Sequence, residues 1–177
     1  MTILTLSAKQ DHLEKIAKTS DPIKAISEYV WNALDADAVE VRVDLVRNAL
    51  EGIEEIVIQD NGDGITLDRA KTAYENLGES WKKKAHRTSK KRPLHGKEGQ
   101  GRLRFYSLAE KAQWKTTYVE GEKVKDLFIE IRSASLDKCN ISEPQEAADS
   151  RTGTTVTLSS LKEQFAWLLS EQAYLNL

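Results

Sequence analysis

The run Ile56-Val57-Ile58-Gln59-Asp60 ends in Asn61-Gly62-Asp63-Gly64, and helical periodicity, not a returning strand, follows it. Three consecutive β-branched residues favour a strand, and the two glycines permit positive φ and a close approach to the backbone. An Asn-Gly or Asp-Gly pair is also the commonest hairpin signal, so the turn alone would be unremarkable in any protein. Two features set it apart. Thr66 is placed to cap a helix that Gly78 closes, and Asp60 ends an apolar strand, where a carboxylate without a hydrogen-bond donor is costly. The chain must therefore join strand to helix through a turn that carries a partnered carboxylate, and function commonly sits at such joints.

The surrounding pattern fills in the fold. Val39, Val41, Val43 and Leu45 alternate with Glu40, Arg42 and Asp44, so this segment pairs with Ile56–Ile58 as an antiparallel hairpin across a loop containing Gly52. Upstream, Leu4 to Ala17 gives a lead-in and then a helical stretch with Leu13, Ile16 and Ala17 on one face. Asp21 and Pro22 start a helix that should run to about Ala36, with Ile23, Ile26, Val30 and Ala33 as its apolar stripe. Glu79 to Leu94 has no clear period and reads as a long loop. The glycine cluster His95 to Gly101 opens a helix expected over Arg102 to Ala109, and strands follow near Ala112–Val119 and Val124–Ser133 with Gly121 at their turn. After a polar stretch from Asp137 to Arg151, Thr154–Leu158 gives another strand, and a last helix carries Leu161, Phe165, Leu168 and Leu169. Early helices with clustered, hairpin-linked strands predict an α+β fold, a two-layer sandwich whose mostly antiparallel mixed sheet is covered on one face by helices.

At 177 residues and 40% hydrophobic, the chain can bury one ordinary core, and residues 1–177 are read as a single domain. Its 26 basic and 28 acidic side chains nearly cancel, so the overall field selects no class of partner. Cys139 is the one cysteine and there is no span of twenty apolar residues, which predicts a cytoplasmic protein with no membrane partner.

Glu28, Asn32 and Asp35 share a narrow sector of the Pro22 helix. On its own this stripe is a solvated face. An amide near carboxylates is also what a hard cation takes, since magnesium binds oxygen ligands, keeps waters and is shared with substrate phosphates. Glu28 is then placed one turn away to activate a water. Gly96-Lys97-Glu98-Gly99-Gln100-Gly101 precedes the expected Arg102 helix, so amides and the helix dipole face an anion there, phosphate being the usual guest. It lacks the preceding strand and the Gly-Lys-Ser/Thr ending of a P-loop. Gly153-Thr154-Thr155-Val156 opens the late strand.

In this order, the four pieces resemble the motifs of the GHKL superfamily (gyrase, the ninety-kilodalton heat-shock chaperone, histidine kinases and MutL), whose domain is the Bergerat fold. Glu28 to Ala36 is similar to its N box, Asp60 to Gly64 to its Asp-x-Gly-x-Gly box, Gly96 to Gly101 to its lid glycines, and Gly153-Thr154 to its last box. The resemblance implies ATP and Mg2+ as ligands. By it, Asn32 ligates magnesium, Glu28 positions and deprotonates the attacking water, and Asp60 accepts a hydrogen bond from the adenine amino group. Gly62 and Gly64 let the base lie against the backbone, Gly96, Gly99 and Gly101 bring amides to the phosphates, Asp35 orients neighbouring groups, and Thr154 supports Asp60 through its hydroxyl.

Glu28 with Leu34-Asp35-Ala36 looks like the hydrolysing branches, MutL, MORC and the chaperone. Gly78-Glu79-Ser80-Trp81-Lys82 is similar to a Gly-x-Ser-x-Lys stretch of MORC-like members, in which Ser80 and Lys82 approach the phosphates. The function implied is slow magnesium-dependent ATP hydrolysis driving a conformational or dimerisation switch, with residues 79–101 as an ATP lid. Two rivals share the fold: a histidine-kinase-like phosphotransfer domain, and an interaction module that holds ATP without hydrolysing it. The chain is expected to be the N-terminal part of a longer protein. The lysine that gyrase and MutL types bring to the γ-phosphate from a following transducer domain is not within residues 1–177, so slow turnover is expected. Lys82 to Arg92 holds seven lysines and arginines in eleven positions. It reads as a solvated lid, with a nucleic-acid contact as the competing use. Trp31, Trp114 and Trp167 read as core or sheet residues.

Overall fold

A computed structural model of the chain describes residues 10–75, 88, 90, 92–95 and 100–163. Helix α1 (Gln10–Ala17) buries Leu13 and Ala17, and Arg104 closes its end by donating to the carbonyls of Ile16 at 2.9 Å and Lys18 at 3.1 Å. Helix α2 (Pro22–Asp35) starts as the sequence dictates. Asp21 Oδ1 accepts the amides of Ile23 at 2.9 Å and Lys24 at 3.2 Å, and Pro22 stands where no amide is needed.

The strands form one seven-stranded sheet. Strands β1 (Val41–Arg47) and β2 (Ile53–Asp60) make the expected hairpin, with Val43 opposite Ile58. Strands β3 (Ala109–Glu120) and β4 (Lys123–Arg132) make a second hairpin around Gly121, whose φ of 64° is the left-handed conformation that the tight turn requires. Strand β7 (Gly153–Leu161) comes last in the chain but lies between β2 and β3, giving the order β1-β2-β7-β3-β4. Short strands β5 (Asn140–Ile141) and β6 (Gln145–Glu146) both pair with β4, so the polar stretch after Asp137 contributes edge strands that its composition does not announce. All the pairings between these strands are antiparallel. Ile56, Ile58, Ala112, Trp114, Leu127, Ile129, Val156 and Leu158 meet Ile26, Tyr29, Leu103 and Phe105 in the core between the sheet and the helices. The α+β architecture is as expected.

Local expectations needed correction. Gly101–Ser107 is a 3-10 helix and Ala109 already belongs to β3, so no α-helix spans Arg102 to Ala109. Leu103, Phe105 and Ser107 are its buried residues, a two-residue spacing that an α-helix cannot bring to one face. Leu161 ends β7 instead of opening a helix, while Phe165, Trp167, Leu168 and Leu169 lie outside the described residues. The buried face of α2 is centred on Ala25, Ile26, Tyr29 and Ala33, with Val30 only half-buried. That is a rotation of roughly 60° from the stripe read in the sequence, because the ring of Tyr29 and not Val30 fills the core. No helix among the described residues is long and apolar enough to cross a membrane.

Candidate functional site

The strand order decides what gathers at the end of β2. Because β7 lies beside β2, Gln59 pairs with Thr155, and Gly153 and Thr154 stand next to Asp60 and the turn that follows. Asp60 Oδ1 accepts two backbone amides, Gly62 at 2.8 Å and Thr154 at 3.2 Å. None of the described residues donates to Oδ2. Burial raises the carboxyl above its ordinary pKa, and the two amide bonds from Gly62 and Thr154 act against that rise. Asp60 is the partnered carboxylate that the sequence requires, with one oxygen fixed by backbone and the other without a donor among the described residues.

Thr154 reaches Asp60 through its backbone N–H, not its hydroxyl as expected. The hydroxyl instead lies 3.0 Å from that of Thr116 on β3. Thr116, fully buried, also accepts the amide of Ile65 at 2.8 Å and lies 3.3 Å from the Gly153 carbonyl. It pins the end of the turn to the sheet, a role no local pattern marks, since Thr116 sits within an ordinary β-branched strand.

The turn is also tied to α2. Asn61 Oδ1 accepts the amides of Val39 at 2.9 Å and Glu40 at 3.0 Å, and the Asp63 amide donates to the Ala36 carbonyl at 2.8 Å. The glycines make this packing possible. A Cβ on Gly62 would come within 2.6 Å of the Ala36 carbonyl oxygen, and Gly64, at φ 73°, would drive one into the Thr117 carbonyl. The room these two glycines leave is thus taken by the chain's own backbone.

Along α2, Glu28 is half-buried and Asn32 exposed, beside the buried face and at its edge. A Cβ on Gly101 would stand 2.7 Å from Glu28 Oε2, so the glycine loop ends against this carboxylate. Asp35 is 5% exposed and accepts the His95 amide at 2.9 Å. This bond ties the residue that opens the glycine cluster to the end of α2. Trp31, 43% exposed, stacks on the His95 ring at 3.9 Å, which corrects its reading as a core residue; Trp114, buried, is as expected.

Just past α2, Asp37 is buried at φ 60° and accepts the Thr88 hydroxyl at 2.6 Å and the Lys90 amide at 3.0 Å. Arg92 donates to the Ala38 carbonyl at 2.6 Å. The sequence missed this anchorage, because Asp37 and Thr88 are 51 residues apart and neither belongs to a periodic pattern. Ser80, Lys82, Gly96 and Gly99 lie outside the described residues, as does most of the 79–101 segment. No group of three or more His, Cys, Asp or Glu side chains that could hold a metal occurs among the described residues.

The family model for histidine kinase-, DNA gyrase B- and HSP90-like ATPases matches residues 19–163, most of the chain. The chain belongs to this ATPase family. As a GHKL ATPase domain it binds ATP. Among curated relatives, a candidate type II restriction enzyme, HgiDII, of Herpetosiphon aurantiacus is 29% identical over 152 residues, 81% of this chain and 23% of the relative. The DNA mismatch repair protein MutL of Lactobacillus helveticus is 30% identical over 140 residues, 79% of this chain and 20% of the relative. MutL of Lactobacillus acidophilus is 43% identical over 53 residues, 30% of this chain and 8% of the relative. The GHKL domain therefore spans less than a quarter of the length of the relatives it matches.

Proposed function

We propose that this domain binds ATP with magnesium, hydrolyses it slowly, and uses the nucleotide state to switch the conformation or dimerisation of a larger protein. The observation that carries the reading is the divided carboxylate of Asp60. Its Oδ1 is held by the Gly62 and Thr154 amides, and Oδ2 takes no donor from any described residue, which leaves a fixed acceptor for an exocyclic amino group. Adenine presents such a donor where guanine presents a carbonyl.

The residues along α2 fit the rest of the ligand. Asn32, an exposed residue, would give its amide oxygen to magnesium, and the ion would supply charge neutralisation at the phosphates. Glu28, held beside the end of the glycine loop, takes a proton from a water whose oxygen attacks the γ-phosphorus. The bond to the β,γ-bridging oxygen breaks, releasing ADP and phosphate. Asp35 keeps the opening of the glycine cluster on α2 through His95. Gly96 and Gly99 are proposed to face the phosphates, with Ser80 and Lys82 approaching from the other end of a lid at 79–101. Hydrolysis is preferred over phosphotransfer because Glu28 stands on the same helix as the proposed metal ligand. The names of the relatives, mismatch repair and restriction, favour a DNA-directed setting in which Lys82 to Arg92 meets nucleic acid.

Calorimetric titration with ATP and GTP in magnesium buffer tests the central claim. ATP should bind at least tenfold more tightly than GTP, and equal affinities would remove the adenine reading.

A further inference from the structure

Gly101 stands where the Glu28 carboxylate leaves no room for a side chain. A Cβ there would lie 2.7 Å from Glu28 Oε2 and 3.6 Å from Glu28 Cβ and Cδ, with no other neighbour closer. Backbone freedom is not the reason for the glycine. Gly64, Gly121 and Gly153 are the glycines with positive φ among the described residues, and Gly101 is not one of them. An alanine could adopt this backbone; it could not leave Oε2 where it is.

The two backbones also cannot separate to make space. Tyr29, next to Glu28 on α2, donates its hydroxyl to the Arg102 carbonyl at 3.2 Å and accepts the Phe105 amide at 3.1 Å. Both bonds land within four residues of Gly101, and Tyr29 itself is buried. Of the groups in conflict, only the end of the Glu28 side chain is free to move, by a rotamer change that costs little.

We infer that Gly101 is a positioning residue for Glu28: its missing side chain keeps the carboxylate in the one place from which it can take a proton from the attacking water. This inference rests on the hydrolysis reading above, and it gives Gly101 a role other than offering an amide to phosphate. A displacement of about 1 Å in a reacting group can cost on the order of a hundredfold in rate, so a single methyl group suffices.

The experiment is a double-mutant cycle in the intact protein, with Gly101→Ala, Glu28→Ala and the pair. ATP affinity is read by calorimetry and turnover by phosphate release at saturating ATP. Gly101→Ala should bind ATP within about threefold of wild type and lose roughly ten- to a hundredfold in kcat, and it should have no further effect in the Glu28→Ala background. Wild-type turnover in Gly101→Ala, with Glu28→Ala inactive, would overturn the inference and leave the base in place. Wild-type turnover in Glu28→Ala would instead overturn the hydrolysis reading. Loss of ATP binding by Gly101→Ala would assign the residue to the nucleotide and overturn the inference. A crystal structure of Gly101→Ala reads the placement without turnover: the Glu28 carboxylate should have moved, and finding it in its original position would sink the proposal.

Discussion

The Tyr29 hydroxyl accepts the amide of Phe105 at 3.1 Å and donates to the carbonyl of Arg102 at 3.2 Å, joining α2 to the 3-10 helix that follows the glycine loop. Burial raises the phenol above its ordinary pKa, against the opposing effect of the Phe105 amide bond, so the group stays neutral and can serve as donor and acceptor together. Tyr29→Phe keeps the ring in the core and removes the hydroxyl that meets the buried Phe105 amide and the part-buried Arg102 carbonyl. It should lower stability by about 1–3 kcal/mol in urea unfolding, the cost of orphaned buried groups. An unchanged midpoint would show that water replaces the hydroxyl and that the clamp is weak.

The open oxygen of Asp60 sets a pH dependence. Because its pKa is raised in the folded state, the folded form keeps this proton at pH values where the unfolded chain has lost it. The contribution to stability is full below the unfolded pKa and is lost as pH rises through the folded one. Nucleotide binding runs the other way. A proton on Oδ2 makes that oxygen a donor facing the adenine amino group, so ATP affinity should increase as pH rises through the Asp60 pKa. Asp60→Asn should weaken ATP binding by on the order of tenfold or more at neutral pH and remove this part of the pH dependence. A series of titrations of both proteins from acid to neutral pH makes the comparison, and identical pH profiles would show that the effect belongs to the ionisation of ATP itself.

Asp37 anchors Thr88 and Lys90, in the basic stretch that precedes the glycine cluster in the chain. With φ at 60° it occupies a conformation that aspartate tolerates better than most residues, and its carboxylate holds the Thr88 hydroxyl and the Lys90 amide. Asp37→Ala removes both acceptors and puts a methyl side chain into the left-handed region. The expected loss is roughly 2–4 kcal/mol, with amide exchange across residues 88–95 accelerated at least tenfold in the absence of nucleotide and β3 unaffected. Asp37→Asn, which keeps an oxygen for Thr88, should lie between. Equal exchange in all three proteins would mean that this segment is held by other contacts.

What the sequence showed and what it hid follow from the range of the interactions. The Asp21-Pro22 start of α2, the β1–β2 hairpin and the Gly121 turn are specified by neighbouring residues, and all three appear where they were expected. The Asp60 turn was legible because a carboxylate at the end of an apolar strand demands a donor, and it has two. The insertion of β7 between β2 and β3 was hidden, since nothing local in Thr154–Leu158 names its partners, and with it went the backbone route from Thr154 to Asp60 and the part played by Thr116. Trp31 was misread because an aromatic on an amphipathic helix is normally buried, whereas here it meets a histidine 64 residues away (95 minus 31).

Arg102 gives the sharpest test of how the 3-10 helix is packed. Its Nε and Nη2 are removed from solvent without a hydrogen-bond partner among the described residues, and its guanidinium lies 5.0 Å from the centre of the Tyr74 ring. Burial lowers its pKa, yet a guanidinium stays charged at any ordinary pH. The ionisable groups around it give no counter-charge: burial raises Tyr74 well above its usual range and pushes the Cys139 thiol up to about 11. Among the described residues the cation is offset by the Tyr74 ring, worth about 0.5–2 kcal/mol, against a desolvation cost of several kcal/mol. Arg102→Met has similar reach, buries no donors and keeps a favourable sulfur contact with the ring. It should therefore raise stability by about 1 kcal/mol or more in thermal or urea unfolding, whereas Arg102→Lys, which keeps the charge but loses the flat contact with Tyr74, should lower it. Destabilisation by Arg102→Met of about 2 kcal/mol or more would refute this account and show that an acceptor outside the described residues pairs with the guanidinium.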